Sequence, residues 1–352
     1  MTRVTEAAPT MPLAWDALTV DPPGGHLLQG AAWADHRREQ GWRPSFVRFD
    51  DGRRALVLTH HRRPLPGFVA YAPRGPIAAG DPTEGVASRA AALADWLRGQ
   101  GASILAVDPE LGADPAYDAA MAQAGFRPTE EIQPSRHRLI LDLPRGVEDA
   151  GLLAGMSKST RQRIHAAEQG GTTVREDRDG RHLDAFAEFM DATARRKRFN
   201  FGSERGFTRW WRRIVGTDRA RFLVAERDGR LLGGLLAYRQ GGHWATAFSA
   251  DDATIRREHA GTMHLLRWTI IRMARDDGAP SIDLGGVDVP GARRLPLHGE
   301  PQWGMYEHKV GFGARWVESA GAHEIVLRPT VYRADVTLRD LLRRLRRLPD
   351  AR

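Results

Sequence analysis

The sequence of 352 residues contains no cysteine, which excludes disulfide bonds, thiol nucleophiles and thiolate metal sites. Long apolar runs are also missing, and no stretch approaches the roughly 18 uninterrupted apolar residues of a membrane-spanning helix. Residues 1–12, MTRVTEAAPTMP, lack the apolar core of a secretion signal. We therefore expect a cytoplasmic protein whose chemistry relies on groups other than thiols.

The spacing of the histidines gives no indication of a metal site. His60 and His61 are adjacent, His259 and His264 are five positions apart, and no helical pair at i and i+4 stands next to a glutamate. The sequence also has neither a GxSxG nucleophile elbow nor a P-loop. We therefore expect no metal ion in this protein.

Acidic residues are outnumbered by basic ones, 44 against 52, so the formal net charge is +8 and the sequence pI is near 10.4. This excess favours a polyanionic partner, such as nucleic acid, a phosphorylated small molecule or an anionic membrane face. An arginine-rich, solvated surface explains the charge equally well. Charge alone therefore leaves the partner open.

Length and composition predict two globular domains. Apolar residues make up 41% and charged residues 27%, as in folded proteins, and the chain exceeds what one hydrophobic core usually serves. In the first half, residue periodicity predicts helices at 27–42, 85–101 and 117–126, strands at 44–50, 54–60, 103–109 and 137–143, and a loop at 71–77. In the second half it predicts helices at 157–171, 183–199 and 261–278 and strands at 221–229, 230–242, 243–250 and 280–286.

The two halves share the order helix, hairpin, strand, helix and strand, which predicts two copies of one α+β architecture. We expect a first domain at 1–147 and a second domain at 148–317. A last strand pair at 314–329 and a helix at 337–348 are expected to return to the first domain, so that residues 318–352 complete it.

Several short segments stand in an order that resembles the Fem family of peptidoglycan aminoacyltransferases. They are LLQGAAWADHRR, VDP, KSTRQRIHAAEQGG, DATARRKRF, IDLGG and YEHKVGFGARW, and the resemblance covers about residues 25–330. It implies two acetyltransferase-like (GNAT) domains in tandem, with the cell-wall precursor in a cleft between them. Only a few residues separate DATARRKRF from RGFTRWWRRIV, so the chain resembles short members without the inserted helical arm.

The resemblance implies an activity and its partners. Fem enzymes take an amino acid from aminoacyl-tRNA and attach it to the stem peptide of a UDP-linked or lipid-linked peptidoglycan precursor. We accordingly expect an aminoacyltransferase that needs no cofactor and acts as a monomer. Two other enzymes remain open: a tRNA-dependent aminoacyltransferase for a small molecule of a biosynthetic pathway, and a CoA-dependent N-acyltransferase of the same fold.

The CoA-dependent alternative depends on residues 256–262, RREHAGT, which precede a predicted helix. A glycine loop at a helix N-terminus can bind pyrophosphate through backbone N–H groups. This loop has one glycine, whereas acyl-CoA enzymes usually have two small residues in a tight turn. A third class, a non-catalytic RNA- or membrane-binding protein, explains the basic charge but leaves the ordered motifs unexplained.

Residues 302–316, QWGMYEHKVGFGARW, place Lys309 among aromatic residues and glycines. The family has Phe-Lys-x-x-Phe-Gly here, so Lys309 matches the pattern and His308 replaces the aromatic residue. The ammonium group of Lys309 can stabilise the oxyanion formed when an amine attacks the aminoacyl ester, or it can hold the terminal phosphate of tRNA. Trp303, Tyr306 and His308 can stack on the 3′-terminal adenosine. The structural alternative is a glycine bend between core strands, with the lysine head in water.

Arginines are the candidates for phosphate binding. The resemblance points to Arg37, four positions after the tryptophan of LLQGAAWADHRR, where many members have lysine. A guanidinium can bridge a diphosphate through two parallel hydrogen bonds, so this departure is compatible with the role. Arg196 and Arg205 are candidates from the second domain, with a solvated basic helix face as the alternative.

Two aspartates stand at the ends of predicted strands. Asp108, in VDP, lies where the family has an acidic residue facing the substrate, and it can accept a proton from the attacking ammonium or orient it. An Asp-Pro pair after a strand is also typical of a simple turn. Asp283, before two glycines, is a second candidate of the same kind.

The C-terminal segment LRDLLRRLRRL (338–348) combines leucines on one helical face with arginines on the rest. Such a helix either docks on the first domain through its leucines or makes peripheral contact with the anionic inner face of the membrane, where a lipid-linked precursor lies.

Overall fold

The computed structural model describes residues 2–61, 64, 66–77, 80–133, 137–197, 204–255, 258–287, 294–300 and 302–345. The chain forms two compact units. Unit 1 comprises Met1–Ile132 and Ala320–Arg352, and unit 2 comprises Gln133–Ser319. Both units combine a mixed sheet with helices, as the repeated pattern of the sequence predicts.

The described residues contain the following elements in chain order. The strands are β1 (Val4–Ala8), β2 (Arg43–Phe49), β3 (Arg54–His60), β4 (Phe68–Ala72), β5 (Ala102–Val107), β6 (Arg127–Pro128), β7 (Arg138–Asp142), β8 (Thr173–Glu176), β9 (Ala220–Arg227), β10 (Arg230–Gln240), β11 (His243–Asp251), β12 (Ser281–Asp283), β13 (Arg315–Val317) and β14 (His323–Val326). The helices are α1 (Trp15–Thr19), α2 (Ala31–Glu39), α3 (Thr83–Gln100), α4 (Pro115–Gln123), α5 (Asp149–Ala154), α6 (Lys158–Gln169), α7 (Leu183–Lys197), α8 (Glu204–Ile214), α9 (Thr262–Asp276), α10 (Trp303–Val310) and α11 (Pro329–Leu345).

The sheet of unit 1 has the strand order β1-β2-β3-β4-β5-β14-β6. Its described neighbours are antiparallel apart from β4 and β5, which are parallel. A parallel pair needs a crossover, and α3 supplies it, packing Ala90, Leu93 and Leu97 into the core of the unit. The carboxyl ends of β4 and β5 therefore lie at the same edge of the sheet.

The sheet of unit 2 has the strand order β13-β7-β12-β11-β10-β9-β8. Here β11 and β12 are the parallel pair, and α9 is the crossover. The β4–α3–β5 arrangement of unit 1 and the β11–α9–β12 arrangement of unit 2 are thus equivalent. Asp108 follows β5, and Asp283 is the last residue of β12, so the two candidate aspartates occupy corresponding strand ends.

The boundary between the units lies earlier than the predicted position after residue 147. Strand β7 pairs with β12 and β13 of unit 2, with Leu141 opposite Ile282 and Leu139 opposite Trp316. Leu139 and Leu141 are buried in the core of unit 2. The strand that the sequence assigns to the first domain therefore belongs to the second, because its partners come from residues far along the chain.

The predicted strand pair at 314–329 is wrong as a pair. Strand β13 pairs with β7 in unit 2, whereas β14 pairs with β5 and β6 in unit 1. The prediction that the C-terminal segment returns to the first domain agrees with β14, whose Ile325 lies opposite Leu105. Strand β4 was not predicted, and its last two residues fall in the predicted loop at 71–77, since FVAYA is too short an apolar run to show a period.

Helix α11 begins at Pro329, earlier than the predicted start at 337, and residues 346–348 lie outside the described residues. Its first turns contact unit 1: Arg127 Nη2 donates to the Tyr332 hydroxyl at 3.1 Å, and Asp335 is buried. This part of the helix is therefore docked on its own unit. Within the part of the chain that the structure describes, no helix combines the length and apolarity needed to cross a membrane.

Candidate active site

Asp108 lies directly after β5 and is only 1% exposed. The Tyr71 hydroxyl donates to its Oδ2 at 2.8 Å, and the backbone N–H of Arg74 donates to its Oδ1 at 2.6 Å. Burial raises the pKa of Asp108 to about 6, although the nearby Arg74 guanidinium opposes the shift. A carboxylate with a pKa just below neutrality suits a general base, because it is ionised at pH 7 yet accepts a proton readily.

Arg37 lies in the last turn of α2, between the indole rings of Trp33 and Trp42. The guanidinium carbon is 5.6 Å from the first ring centroid and 4.7 Å from the second. Burial lowers the pKa of Arg37, and the Tyr71 hydroxyl opposes that shift. Arg37 and Asp108, separated by 71 positions in sequence, thus lie near the same tyrosine in unit 1.

The Nε–H of Arg37 is a second indication that this part of unit 1 binds a ligand. Its Nη1 donates to Gln40, but among the described residues its buried Nε–H has no hydrogen-bond acceptor. A buried polar group without a partner is uncommon, because it has lost its bonds to water without replacement. The predicted role of Arg37 in holding a phosphate would supply the missing acceptor.

Lys309 lies on α10 in unit 2, and the residue is 6% exposed. Its Nζ donates to the carbonyl oxygen of Gly286 at 3.0 Å. A Cβ at Gly285, whose φ is +82°, would lie 3.0 Å from the same Nζ, so glycine leaves room for the ammonium group. The structural alternative is wrong about the lysine head, which is buried and bonded to Gly286, whereas a glycine turn does follow α10 at residues 311–313, where Gly313 has a φ of +88°.

Two segments of the family resemblance meet at the end of α10. The backbone N–H of Ser157, which caps α6, donates to the carbonyl oxygen of Gly311 at 2.8 Å. KSTRQRIHAAEQGG and YEHKVGFGARW are about 150 positions apart in sequence. The fold of unit 2 therefore joins the basic helix to the segment that carries Lys309.

His308 is held by neighbours on both ring nitrogens. Arg267 Nε donates to His308 Nε2 at 3.2 Å, and His308 Nδ1 lies 3.1 Å from His264 Nε2. Since Nε2 accepts from an arginine, the proton of a neutral His308 belongs on Nδ1, from which it is donated to His264. Burial, followed by the charge of Arg267, lowers the pKa of His308 well below its ordinary value.

Trp303 and Tyr306 are three positions apart on α10, and their ring centroids are 5.4 Å apart. The His298 ring lies 5.4 Å from Trp303, and all three side chains are at least partly accessible. They form an aromatic surface that a base can stack on. The His308 ring instead packs against Phe312 at 5.4 Å and serves as a hydrogen-bonding group within unit 2.

The structure describes the two remaining arginine candidates only in part. Arg196 is exposed near the end of α7, as the solvated-face alternative expects. Arg205 belongs to the first turn of α8, and its side chain lies outside the described residues. Asp283 is buried, accepts the backbone N–H of Gly285 at 2.7 Å and raises the pKa of Arg267 against the effect of burial. This bond holds the loop that Lys309 contacts.

Sequence reasoning missed Tyr71, His264 and Arg267. Tyr71 lies on β4, a strand too short to be recognised. Arg267 could have been found, because it falls on the apolar face of α9 with Ile270, Ile271 and Ala274, where a lone charge is unusual. Among the described residues, no group of three or more histidine, aspartate or glutamate side chains is arranged to hold a metal ion.

Comparison with known proteins supports both the fold and the motifs. The family model of the FemAB family matches residues 13–123, in unit 1, and that of the acetyltransferase (GNAT) domain matches residues 155–298, in unit 2. A crystal structure of FemX superposes with a TM-score of 0.77 at 20% identity, covering 94% of this chain and 99% of that one. The predicted tandem acetyltransferase-like fold is confirmed.

Two named relatives extend this picture. The UDP-N-acetylmuramoylpentapeptide-lysine N(6)-alanyltransferase of Weissella viridescens is 24% identical over an alignment of 284 residues that covers 76% of this chain and 81% of the relative. The lipid II:glycine glycyltransferase of Staphylococcus aureus is 28% identical over 199 residues, 52% of this chain, which spans 46% of that relative's length. The chain is therefore similar to the FemAB family over residues 13–123 and to GNAT acetyltransferases over residues 155–298, and the two named relatives are an alanyltransferase and a glycyltransferase.

Proposed function

We propose that this chain is an aminoacyltransferase that moves an amino acid from aminoacyl-tRNA to the amino group of a stem peptide in a peptidoglycan precursor. The observation that carries the proposal is the buried ammonium group of Lys309, held by the Gly286 carbonyl on a helix that also presents Trp303 and Tyr306. Both named relatives are transferases of single amino acids, which supports the predicted class of enzyme.

The proposed reaction needs a base and a group that stabilises negative charge. Asp108 takes a proton from the acceptor's ammonium group, and the resulting amine attacks the carbonyl carbon of the aminoacyl ester. Lys309 stabilises the negative charge that develops on the carbonyl oxygen. The intermediate then collapses, an amide bond remains, and the ribose oxygen of the tRNA leaves with a proton.

The proposed acceptor carries a diphosphate, which the arginines bind. Arg37 offers a buried Nε–H that has no acceptor among the described residues, and a phosphate oxygen satisfies it. The predicted roles of Arg196 and Arg205 in phosphate binding remain predictions. A UDP-linked and a lipid-linked precursor share this diphosphate, and the names of the two relatives include one acceptor of each kind.

A CoA-dependent reaction is the second candidate, and one contact opposes it. A Cβ at Gly261, the N-cap of α9, would lie 2.0 Å from the backbone carbonyl oxygen of Arg163 on α6. That carbonyl therefore lies close to the helix end at which a diphosphate would bind, and its partial negative charge repels an anion. Residues 256 and 257 of the predicted loop lie outside the described residues.

Donor competition tests the proposal directly. The protein is incubated with charged total tRNA and, separately, with acetyl-CoA, each together with UDP-linked and lipid-linked precursors, and the mass of each acceptor is followed. We expect a mass increase of one amino acid with tRNA and loss of the reaction after RNase treatment. Transfer that survives RNase and depends on the CoA thioester would overturn the proposal. If only a small molecule gains the amino acid in a tRNA-dependent reaction, the acceptor is not a cell-wall precursor.

The proposal also places the enzyme in the cytoplasm as a monomer, with its C-terminal helix in peripheral contact with the inner membrane face. The start of α11 is docked on unit 1, and Leu338 and the arginines from 339 onward follow it. Removing residues 336–352 leaves the docked turns with Asp335 in place. We expect a folded protein that no longer sediments with anionic vesicles at low salt. Unfolding on truncation, or a full-length protein that ignores the vesicles, would favour a purely docked helix.

A further inference from the structure

Arg267 is a buried cation that the proposed reaction leaves unused. The residue is 3% exposed and lies on the core face of α9. Burial lowers the pKa of Arg267 to about 10, with Asp283 opposing the shift, so the guanidinium remains charged at neutral pH. A buried charge costs stability unless it is well paired, so the partners of Arg267 indicate what it does.

Its hydrogen bonds run to three separate elements. Arg267 Nε donates to His308 on α10 at 3.2 Å, and Nη1 donates to the Leu284 carbonyl after β12 at 3.2 Å. Nη1 also lies 3.4 Å from the Thr246 hydroxyl on β11. A planar guanidinium with five N–H donors in a fixed geometry can orient all three partners at once, which a lysine cannot do.

Two of these partners lie next to Lys309 or next to the loop that it contacts. His308 is the residue before Lys309 on α10. Leu284 is two residues before Gly286, whose carbonyl accepts the Lys309 ammonium. Arg267 thus contacts both the helix that carries Lys309 and the loop that Lys309 binds, while Asp283 ties the same loop through Gly285.

We infer that Arg267 is a positioning residue for Lys309, acting through His308 and the loop 284–286. The inference rests on the proposed function only for what Lys309 does in the reaction. The geometry of the cluster is independent of any substrate. His308 stands where the family pattern has an aromatic residue, so this connection depends on a residue in which this chain departs from that pattern.

The lowered pKa values of His264 and His308 indicate that the hydrogen bond from Arg267 to His308 persists at neutral pH. Burial, followed by the charges of Arg163 and Arg267, lowers the pKa of His264 to about 4. The charges near the pair are Arg163 on α6, Arg267 on α9, Lys309 on α10 and Asp283 at the end of β12. Both imidazoles are therefore neutral at pH 7, and His308 Nε2 stays an acceptor for Arg267.

The test compares turnover with the accessibility of the Lys309 amine. Arg267→Met removes the donors, and His308→Phe keeps an aromatic ring but removes the acceptor. His308→Gln returns an acceptor at about the position of Nε2. Arg275→Met is the matched control, since Arg275 lies on the same helix and pairs with Asp149 and Asp276. Labelling of Lys309 by an amine-reactive reagent is followed by peptide mass spectrometry, which requires no substrate.

We expect Arg267→Met to lower kcat by about a hundredfold with little change in KM, because a misplacement of about 1 Å is sufficient for such a loss. We expect the labelling rate of Lys309 to rise about fivefold as the loop loosens locally. His308→Phe should also lower kcat and raise the labelling rate of Lys309. His308→Gln should restore both quantities in part. Arg275→Met should change neither. In a Lys309→Met background, Arg267→Met should add almost no further loss.

The outcomes separate this inference from the proposed function. Faster Lys309 labelling in Arg267→Met and His308→Phe, in a protein that transfers nothing from aminoacyl-tRNA, supports the positioning role and refutes the function. Transfer by the wild type combined with unchanged labelling and turnover in both variants overturns the inference and leaves the function. Equal effects in Arg275→Met, or losses that add fully to Lys309→Met, also overturn it. If Arg267→Met does not fold, the two His308 variants decide.

Discussion

The corresponding strand ends of the two units share a scaffold and a buried aspartate, but burial shifts the pKa values of the groups beside them in opposite directions. After β5, burial raises the pKa of an acid, Asp108, to about 6. Beside the end of β12, burial lowers the pKa values of bases, to about 4 for His264 and about 10 for Arg267. Desolvation disfavours the charged form in both places, so the type of side chain sets the direction. One end is suited to take up a proton and the other to present fixed positive charge.

The largest effect is expected when the positive charge of Lys309 in unit 2 is removed. Lys309→Met should lower turnover by about two to three orders of magnitude, as removal of one oxyanion donor typically does. A thermal melt close to that of the wild type serves as the control for folding. Unchanged turnover would leave Lys309 with the structural task of holding the loop 284–286.

Removing the acid on the other side should have a somewhat smaller effect. Asp108→Asn should lower kcat by about a hundredfold, since general base catalysis contributes on that order. In the wild type, activity should rise with pH through about 6, because the base works only when ionised. Steady-state rates from pH 5 to 8 check both points. If activity of Asp108→Asn rises with pH in the same way, a group other than Asp108 is responsible for the rise.

The Arg37 prediction separates binding from chemistry. Arg37→Ala should raise the KM for the acceptor about tenfold with kcat nearly unchanged, since a hydrogen bond to a charged group contributes about 1.5 kcal/mol or more. An acceptor without its nucleotide diphosphate should lose a similar increment and become insensitive to the substitution. If the two losses add instead, Arg37 acts on another part of the substrate.

The smallest expected effect is on stability, and its sign differs between the two units. The pKa of Asp108 is raised from 3.8, so its contribution is fully present below pH 3.8 and is lost as pH rises through about 6. The pKa of His264 is lowered from 6.5, so its contribution is present above pH 6.5 and is lost as pH falls through about 4. The two contributions therefore oppose each other between about pH 4 and 6.

Denaturant unfolding at pH 4.5, 5.5 and 7 measures how the free energy of unfolding changes with pH. Asp108→Asn should make the unfolding free energy rise more steeply with pH than in the wild type. His264→Gln should make it rise less steeply. If both variants changed the slope in the same direction, the opposite pKa shifts beside the two strand ends would be refuted.

Most helices and strands, and the resemblance to the Fem family, could be predicted from the sequence. Periodicity predicted β3 at its observed bounds and α3 and α9 to within two residues at each end, because an apolar face is encoded in a short stretch of chain. The ordered motifs were sufficient to identify Lys309, Arg37 and Asp108 as candidates. Trp303 and Tyr306 were also named as candidates, although the helix that carries them was not predicted.

The contacts between distant segments became known only from the three-dimensional structure. Strand β7 joined unit 2 and β14 joined unit 1 because pairing depends on partners far along the chain, and no local pattern records them. Arg267 gained its role only when β11, α10 and the loop after β12 came within hydrogen-bonding distance. The pKa of Asp108 likewise depends on Tyr71 and Arg74, which come from 34 to 37 positions earlier. Desolvation is the sum of atoms packed around a group, and those atoms come from segments that the sequence keeps apart.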